Sequence, residues 1–282
     1  MLIGAETGVG KTELAVQIAL TAADHGKRVY MFALEAEEGE VSARVAFREI
    51  SKRARGNLDF GGWWRGEHPG LDSHWGTVEA NLKDRLSRVN TYYQKSGGFT
   101  NAQLLQRLNE IRGQADIIIL DHVHMVESGQ AKDLETQKRT VALLREIALR
   151  EGIPVIAISH LRKRQGGAKD RVMPDLADLH GSSELSKIAT QVVLIARDWK
   201  SEPTSENLSP TLFHIIKDRR GRHTALLARI NYNRAKARYE TRYELGVPGW
   251  EKGKGSCWVP VAYSRIPHWA KHCETESEAG NL

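Results

Sequence analysis

The segment Ala5–Thr12, AETGVGKT, has the residue types and the spacing of a loop that binds phosphate. Gly8 and Gly10 permit backbone conformations that a Cβ would obstruct, so successive N–H groups can converge on one anion. Lys11 would neutralise the β- and γ-phosphate oxygens, and the Thr12 hydroxyl would serve Mg²⁺. The alternative is a chance glycine turn before a core helix. The predicted nucleotide-binding residues are Ala5, Glu6, Thr7, Gly8, Val9, Gly10, Lys11 and Thr12.

Two carboxylates follow predicted strands. Asp121 comes directly after the apolar run IIIL, and Glu35 ends the run VYMFAL. Because ligands of parallel sheets gather at the carboxyl ends of the strands, Asp121 is predicted to hold Mg²⁺ beside Thr12, and Glu35 to activate the attacking water. The alternatives are a turn aspartate at 121 and one acid of a solvated acidic turn at 35.

The elements that must position these residues alternate between strand and helix. Short apolar runs at Val29–Leu34, Ile117–Leu120 and Val155–Ile158 are separated by segments with helical spacing of apolar residues, which predicts a largely parallel sheet with helices on both faces. A β-hairpin formed by Leu212–Ile216 and Leu226–Tyr232 is predicted to follow. The Gly- and Trp-rich stretch 56–74 has no clear period and is interpreted as a surface excursion, with Trp63 and Trp64 packing a small satellite cluster.

Composition places the chain among ordinary globular proteins. The 282 residues carry 41 Lys and Arg against 35 Asp and Glu, a net charge of +6 that is compatible with a polyanionic partner without requiring one. The only cysteines are Cys257 and Cys273, so no disulfide framework is expected. The sequence contains no apolar run of membrane-spanning length and no secretory signal at its start, which predicts a cytoplasmic protein with no membrane partner.

Several motifs, in their order and approximate spacing, resemble the C-terminal motor domain of DnaB-like helicases. The resemblance covers about residues 2–240, and its narrowest part is the segment 174–198 followed by a Lys-x-Arg hairpin. The motifs are GAETGVGKT, FALEAEE, GGFTNAQLLQRLNEI, IIILDHVH, IPVIAISHL, PDLADLHGSSELSKIATQVVLIARD and KDRRG.

The resemblance implies roles for particular residues. Lys11 and Thr12 would bind ATP phosphates, Glu35 would be the catalytic carboxylate, and Asp121 would be associated with Mg²⁺. His160 occupies the place of a glutamine that senses the nucleotide state, and His124 also stands where glutamine is common. Lys217 and Arg219 match hairpin residues that reach the ATP site of a neighbouring subunit; the alternative for both is a solvated basic turn.

A basic, glycine-containing loop, LRKRQGGAKDRVMPD, follows the strand that ends at His160. The resemblance implies that this loop faces the central channel of a ring, where cations can follow a single-stranded phosphate backbone without reading bases. A solvated loop is the alternative. The predicted DNA-binding residues are Arg162, Lys163, Arg164, Lys169 and Arg171.

The sequence therefore predicts a RecA-like α/β P-loop domain at residues 1–245 and an extension of unknown role at residues 246–282. The expected function is ATP-dependent translocation on single-stranded DNA by a homo-oligomer, expected to be a hexamer, with ATP and Mg²⁺ as cofactors and primase or loader proteins as candidate partners. A recombination ATPase of the RecA/RadA type and an ATP-binding regulatory scaffold are the alternatives. In the resembling family a linker helix and a further domain precede the motor domain, so a fragment and a minimal relative both remain open.

Overall fold

The computed structural model describes residues 1–54, 58–94, 98–127, 134–162, 172–179, 182–201, 203, 205–219, 221, 226–252 and 255–262. Within this part of the chain, ten strands form one sheet in the order β12-β11-β10-β9-β8-β1-β7-β5-β2-β3. The strands of its parallel part are β1 (Leu2–Ala5), β2 (Val29–Ala33), β3 (Val89–Tyr93), β5 (Ile117–Asp121), β7 (Val155–His160) and β8 (Gln191–Arg197). Two short strands, β4 (Phe99–Thr100) and β6 (Val126–Glu127), pair separately.

The parallel strands are buried on both faces because apolar residues occupy both positions of the two-residue period. On β5, Ile118 and Leu120 join one core cluster, whereas Ile119 between them joins the other. On β2, Phe32 and Met31 divide in the same way. The sheet therefore separates two apolar layers.

Helices cover both layers. The helices α1 (Lys11–Asp24), α2 (Glu40–Ser51) and α4 (Trp75–Ser87) contribute to one cluster, and α5 (Asn101–Glu110), α6 (Leu134–Glu151) and α7 (Ser182–Ile188) contribute to the other. The start of α5 shows a local cause in the sequence. Thr100 accepts a hydrogen bond from the Gln103 N–H, and the Gln103 side chain accepts one from the Thr100 N–H, so the exposed backbone donors of the first turn are satisfied. The predicted α/β class with helices on both faces is confirmed.

Antiparallel strands extend the sheet beyond β8. The predicted hairpin is confirmed as β9 (Leu208–Asp218) paired with β10 (Leu227–Asn233), and β11 (Arg238–Glu251) and β12 (Gly255–Pro260) add two strands that the sequence pattern did not predict. The predicted boundary between residues 245 and 246 falls inside β11, so residues 246–251 and 255–260 continue the sheet.

The stretch predicted to be irregular contains a short helix, α3 (Phe60–Trp64), which the side chain of Asp59 caps by accepting a hydrogen bond from Gly62 N. The Trp63 ring lies 5.7 Å from the Phe47 ring and 6.3 Å from the Phe60 ring, between ring centroids. Trp63 therefore packs in a satellite cluster on α2, as the sequence indicated. None of the described helices is both long enough and apolar enough to cross a bilayer.

Candidate active site

The phosphate loop lies between the end of β1 and the start of α1. Gly8 and Gly10 have φ angles of 80° and 86°, in the left-handed region that glycine adopts without strain. A Cβ at Gly10 would lie 3.1 Å from the Tyr232 ring, so this position also lacks space for a side chain. The first N–H groups of α1 have no carbonyl partner within the helix and face the loop, which makes this helix end favourable for an anion.

Lys11 lies in the loop with little exposure, and its Nζ donates a hydrogen bond of 3.1 Å to the carbonyl oxygen of Glu6. Burial lowers the pKa of the Lys11 ammonium, whereas the charges of Asp121 and Glu35 raise it. The ammonium therefore has a weak neutral partner that a phosphate oxygen could replace.

Thr12 and Asp121 are in direct contact. The Thr12 hydroxyl donates a hydrogen bond of 2.8 Å to Asp121 Oδ2. The Asp121 carboxylate is buried, and burial raises its pKa to about 6. Its other oxygen, Oδ1, lies 3.1 Å from His122 Nδ1 but makes no acceptable hydrogen bond with the described residues. A buried carboxylate with one oxygen unsatisfied, beside a hydroxyl, fits a hydrated Mg²⁺ bound with a nucleotide.

Glu35 follows β2 and lies at the same edge of the sheet. Its side chain is 51% exposed, so solvent water can approach it, and its Oε2 lies 2.7 Å from His122 Nε2. The register of Ala33 opposite Asp121 explains why the two carboxylates are close, since β2 and β5 are parallel neighbours. The structure brings Lys11, Thr12, Asp121 and Glu35 together.

Three histidines line this edge beside the carboxylates. His160 ends β7, and His122 and His124 follow β5, which is the neighbour of β7 in the sheet. The ring centroids are 4.4 Å apart between His124 and His160 and 4.9 Å apart between His122 and His160. His160 therefore lies beside the predicted catalytic carboxylate. Burial is the main reason why the pKa of His122 is lowered to about 4.

Lys217 and Arg219 lie at the opposite edge of the sheet. Lys217 is paired with Val192, which is also the partner of Leu2 at the start of β1, whereas the phosphate loop follows the end of β1. Lys217 donates to the carbonyls of Ser186 and Ala189, and Arg219 donates to the Lys187 carbonyl at 3.1 Å, so both cations cap the end of α7. The structure does not bring these residues to the phosphate loop of their own chain.

The basic loop is described only at its start. Arg162 is exposed, and its backbone N–H donates to the carbonyl of Asp178. The other predicted DNA-binding residues, Lys163, Arg164, Lys169 and Arg171, lie outside the described residues.

Sequence reasoning missed three groups near the site. His122 contacts both Glu35 and Asp121 from a left-handed backbone conformation with φ of 72°, and its position directly after Asp121 was the available signal. Tyr239 donates from its hydroxyl to the Val9 carbonyl, and Arg197 Nη2 lies 3.5 Å from the Gly8 carbonyl oxygen. The tyrosine and the arginine are remote in sequence, and no local pattern points to them.

Glu13 forms the third group, a buried ion-pair network in the first turns of α1. Its carboxylate pairs with Arg44, and also with Arg48 at 3.1 Å. Arg44 in turn pairs with Glu40 and lies over the Phe60 ring, 4.3 Å from the centroid. This network ties α2 and the aromatic cluster to the helix that begins at the phosphate loop.

Comparison with known proteins gives the family. The family model for the DnaB-like helicase C terminal domain matches residues 1–241. A "Probable plasmid replicative DNA helicase" of Chlamydia muridarum (strain MoPn / Nigg) is 25% identical over 221 residues, which are 75% of this chain and 45% of that protein. The replicative DNA helicase DnaB of Helicobacter pylori (strain ATCC 700392 / 26695) is 23% identical over 213 residues, which are 73% of this chain and 41% of that protein. The chain thus spans less than half the length of these relatives.

Solved structures agree with the fold. One is a DnaB-like replicative helicase studied with its primase interactions, with a TM-score of 0.67, 19% identity, and coverage of 84% of this chain and 56% of that one. Another is an isolated ATPase domain, with a TM-score of 0.66, 19% identity, and coverage of 84% of this chain and 82% of that one. The chain belongs to the family of DnaB-like helicase C-terminal domains, and the resemblance inferred from its motifs is confirmed.

Proposed function

We propose that this chain is the ATP-hydrolysing motor of a replicative DNA helicase and couples hydrolysis to translocation on single-stranded DNA. The observation that carries the proposal is the convergence of Lys11, Thr12, Asp121 and Glu35 at one edge of the sheet. These residues supply a phosphate cation, two groups for a metal ion and a carboxylate open to water.

The chemistry divides among these residues. Mg²⁺, when bound with ATP, neutralises charge that develops on the phosphates. Thr12 and Asp121 would hold it, and Lys11 would exchange its bond with the Glu6 carbonyl for one with a phosphate oxygen. Glu35 would accept the proton of the attacking water, because it is the partly exposed carboxylate of the site. His160 lies beside Glu35 and would respond to the γ-phosphate as the sensing residue.

The hydrolytic site is completed in this proposal by a neighbouring subunit. Lys217 and Arg219 lie at the edge of the sheet away from their own phosphate loop, which supports their action on the next protomer of a ring. A cation that arrives from outside stabilises charge on the transferred phosphoryl group. A closed ring, expected to be a hexamer, gives every site such a neighbour.

Single-stranded DNA is the proposed second ligand. Arg162 opens a segment in which Lys163, Arg164, Lys169 and Arg171 follow in sequence, and this charge density suits a phosphate backbone. The relatives named as replicative helicases support replication as the setting, and the solved relative studied with primase supports primase as a candidate partner.

One experiment separates this function from its alternatives. The ATPase rate of the purified protein is measured with and without single-stranded DNA, and native mass is measured under the same conditions. Hydrolysis that DNA stimulates, in a closed ring, is expected. A helical filament on DNA would instead indicate a recombination ATPase, and nucleotide-dependent assembly without hydrolysis would indicate a regulatory scaffold.

A further inference from the structure

Glu35, His124 and His160 come together from three adjacent strands. In the sheet order β7-β5-β2, His160 ends the first strand, His124 follows the second, and Glu35 follows the third. One potential ligand atom from each residue lies within 4.8 Å of those of the other two. The meeting therefore results from strand order and does not depend on a long flexible loop.

Two imidazole nitrogens and one carboxylate oxygen form a donor set that binds zinc and related divalent transition metals. Catalytic zinc sites use three protein ligands of these types and leave a fourth position for water. Mg²⁺ prefers oxygen ligands, so this set differs in kind from the Thr12 and Asp121 pair. We propose that Glu35, His124 and His160 form a binding site for a divalent transition metal of the zinc class.

The geometry is close to that of a bound state. Metal–ligand bonds of about 2.0–2.1 Å place the ligand atoms of a tetrahedral site somewhat nearer than 4.8 Å. The two imidazole rings are half-buried and packed at 4.4 Å, which limits their rotation. Glu35 is exposed and can turn toward them. A small movement of one carboxylate is enough to close the site.

His122 provides an outer partner for the carboxylate ligand. Its Nε2 lies 2.7 Å from Glu35 Oε2, which leaves the other carboxylate oxygen for a metal. Its Nδ1 lies 3.1 Å from Asp121 Oδ1. Such outer contacts orient metal ligands and typically change metal affinity about 10- to 100-fold. His122 thus links the proposed site to the magnesium-associated aspartate.

Metal binding here has a consequence that rests on the function proposed above. If Glu35 accepts the proton of the attacking water, a transition metal on its carboxylate removes the base from use. ATP hydrolysis is then expected to fall as the metal is added, even with Mg²⁺ in excess. The metal would act as an inhibitor at the catalytic carboxylate.

Metal binding itself is tested without nucleotide. The whole chain, freed of metal with a chelator and dialysed, is titrated with Co²⁺ and followed by visible absorption, and then with Zn²⁺ against a chromophoric chelator. One equivalent bound with imidazole coordination is expected. His124→Gln and His160→Gln should each weaken binding by more than the roughly 10- to 100-fold expected for His122→Gln. His25→Gln, at an exposed histidine on the end of α1, is the control and should leave affinity unchanged.

The outcomes are distinct. Loss of affinity in both ligand variants but not in the control supports the site. Affinity that survives the double substitution His124→Gln and His160→Gln overturns it and assigns the metal elsewhere, for instance to the Cys and His residues that follow residue 256 in the sequence. Weak binding in the starting protein, at the level of the double variant, also overturns it. Tight binding without inhibition of hydrolysis supports the metal site and contradicts the role proposed for Glu35.

Discussion

Gln17 on α1 makes two hydrogen bonds with the backbone of Tyr239 on β11: its Nε2 donates to the Tyr239 carbonyl at 3.0 Å, and its Oε1 accepts from the Tyr239 N–H at 2.9 Å. The Tyr239 hydroxyl then donates to the Val9 carbonyl of the phosphate loop. Tyr232, on the paired strand β10, lies against Gly10. The antiparallel end of the sheet therefore holds the phosphate loop from below.

Tyr239→Phe is expected to lower the free energy of unfolding by roughly 1–3 kcal/mol, because it leaves the Val9 carbonyl without its donor in a buried setting. Nucleotide affinity should fall with it, since the loop loses a fixed contact. Urea denaturation and a nucleotide-binding titration measure the two effects. Tyr30→Phe, which removes a phenolic hydroxyl on β2, is the control. Equal stabilities for Tyr239→Phe and the starting protein would mean that this contact has no energetic role.

Lys11→Ala is expected to abolish ATP binding while the protein stays folded. The ammonium is already disfavoured by burial, which lowers its pKa, so the fold loses little when it is removed. Its one described hydrogen bond is to the Glu6 carbonyl of the same loop. Binding of a fluorescent ATP analogue and the circular dichroism spectrum give the two readings, with the exposed Lys27→Ala as control. Near-normal ATP affinity in a folded Lys11→Ala protein would refute the assignment of the phosphate loop.

Glu35→Gln should retain ATP and lose hydrolysis. The amide keeps the size and hydrogen-bonding reach of the side chain toward His122 but cannot accept a proton, and general-base catalysis is typically worth about 10²- to 10⁴-fold. Single-turnover hydrolysis and ATP affinity are measured together. Glu38→Gln, in the same exposed acidic turn, is the matched control and should hydrolyse ATP normally. Normal turnover by Glu35→Gln would place the catalytic carboxylate elsewhere.

The site was predictable from sequence as far as strand ends and local motifs determine it. Lys11 and Thr12 belong to a contiguous loop, and Asp121 and Glu35 each follow an apolar run, so a parallel sheet brings them to one edge without knowledge of side-chain positions. The same reasoning predicted the two-faced burial of β2 and β5.

The remainder depends on contacts between distant segments. Tyr239 meets Val9 only because β9, β10 and β11 pair in succession beyond β8, and the twofold alternation of β11 is too weak to predict its 14 residues. The role of His122 depends on its left-handed backbone, which a local pattern does not specify for histidine. The seven-residue helix α7 is too short for its helical period to stand out.

Asp121 and His122 have opposite pKa shifts that should cancel in the pH dependence of stability. Burial raises the pKa of Asp121 from 3.8 to about 6 and is the main cause that lowers the pKa of His122 from 6.5 to about 4. Between about pH 4 and 6 the folded pair holds its proton on Asp121, and the unfolded pair holds one on His122. The proton numbers are equal, so the pair adds almost no slope to the free energy of unfolding.

Single substitutions should expose each half of this balance. In His122→Gln the raised pKa of Asp121 remains, so the folded state binds more protons and stability falls as pH rises from about 4 to 6, by roughly 3 kcal/mol. In Asp121→Asn the lowered pKa of His122 remains, so stability falls as pH drops from about 6.5 to 4. Urea denaturation across this range, with chelator and without nucleotide, gives the slopes. Slopes of the same sign in both variants would contradict the assigned shifts.

Arg219→Ala should show whether the hairpin arginine serves its own subunit or the next. Lys217 is level with Leu2 at the start of β1, about 10 Å along the strand from Ala5, where the phosphate loop begins. Arg219 lies further in the same direction and donates to the Lys187 carbonyl, so a contact with its own phosphate loop would require the end of β9 to move. Arg219→Ala protomers should therefore stay folded and bind ATP but hydrolyse it slowly, because an arginine supplied in trans is typically worth about 10³- to 10⁵-fold. Arg53→Ala, at an exposed arginine beyond α2, is the control for loss of a surface cation. Mixing Arg219→Ala with Glu35→Gln protomers creates interfaces in which an intact Glu35 faces an intact Arg219. When one variant is titrated into the other at fixed total protein, ATPase activity above the sum of the separate variants is expected. Strict additivity, with subunit exchange demonstrated by native mass, would show that Arg219 does not act on a neighbouring site.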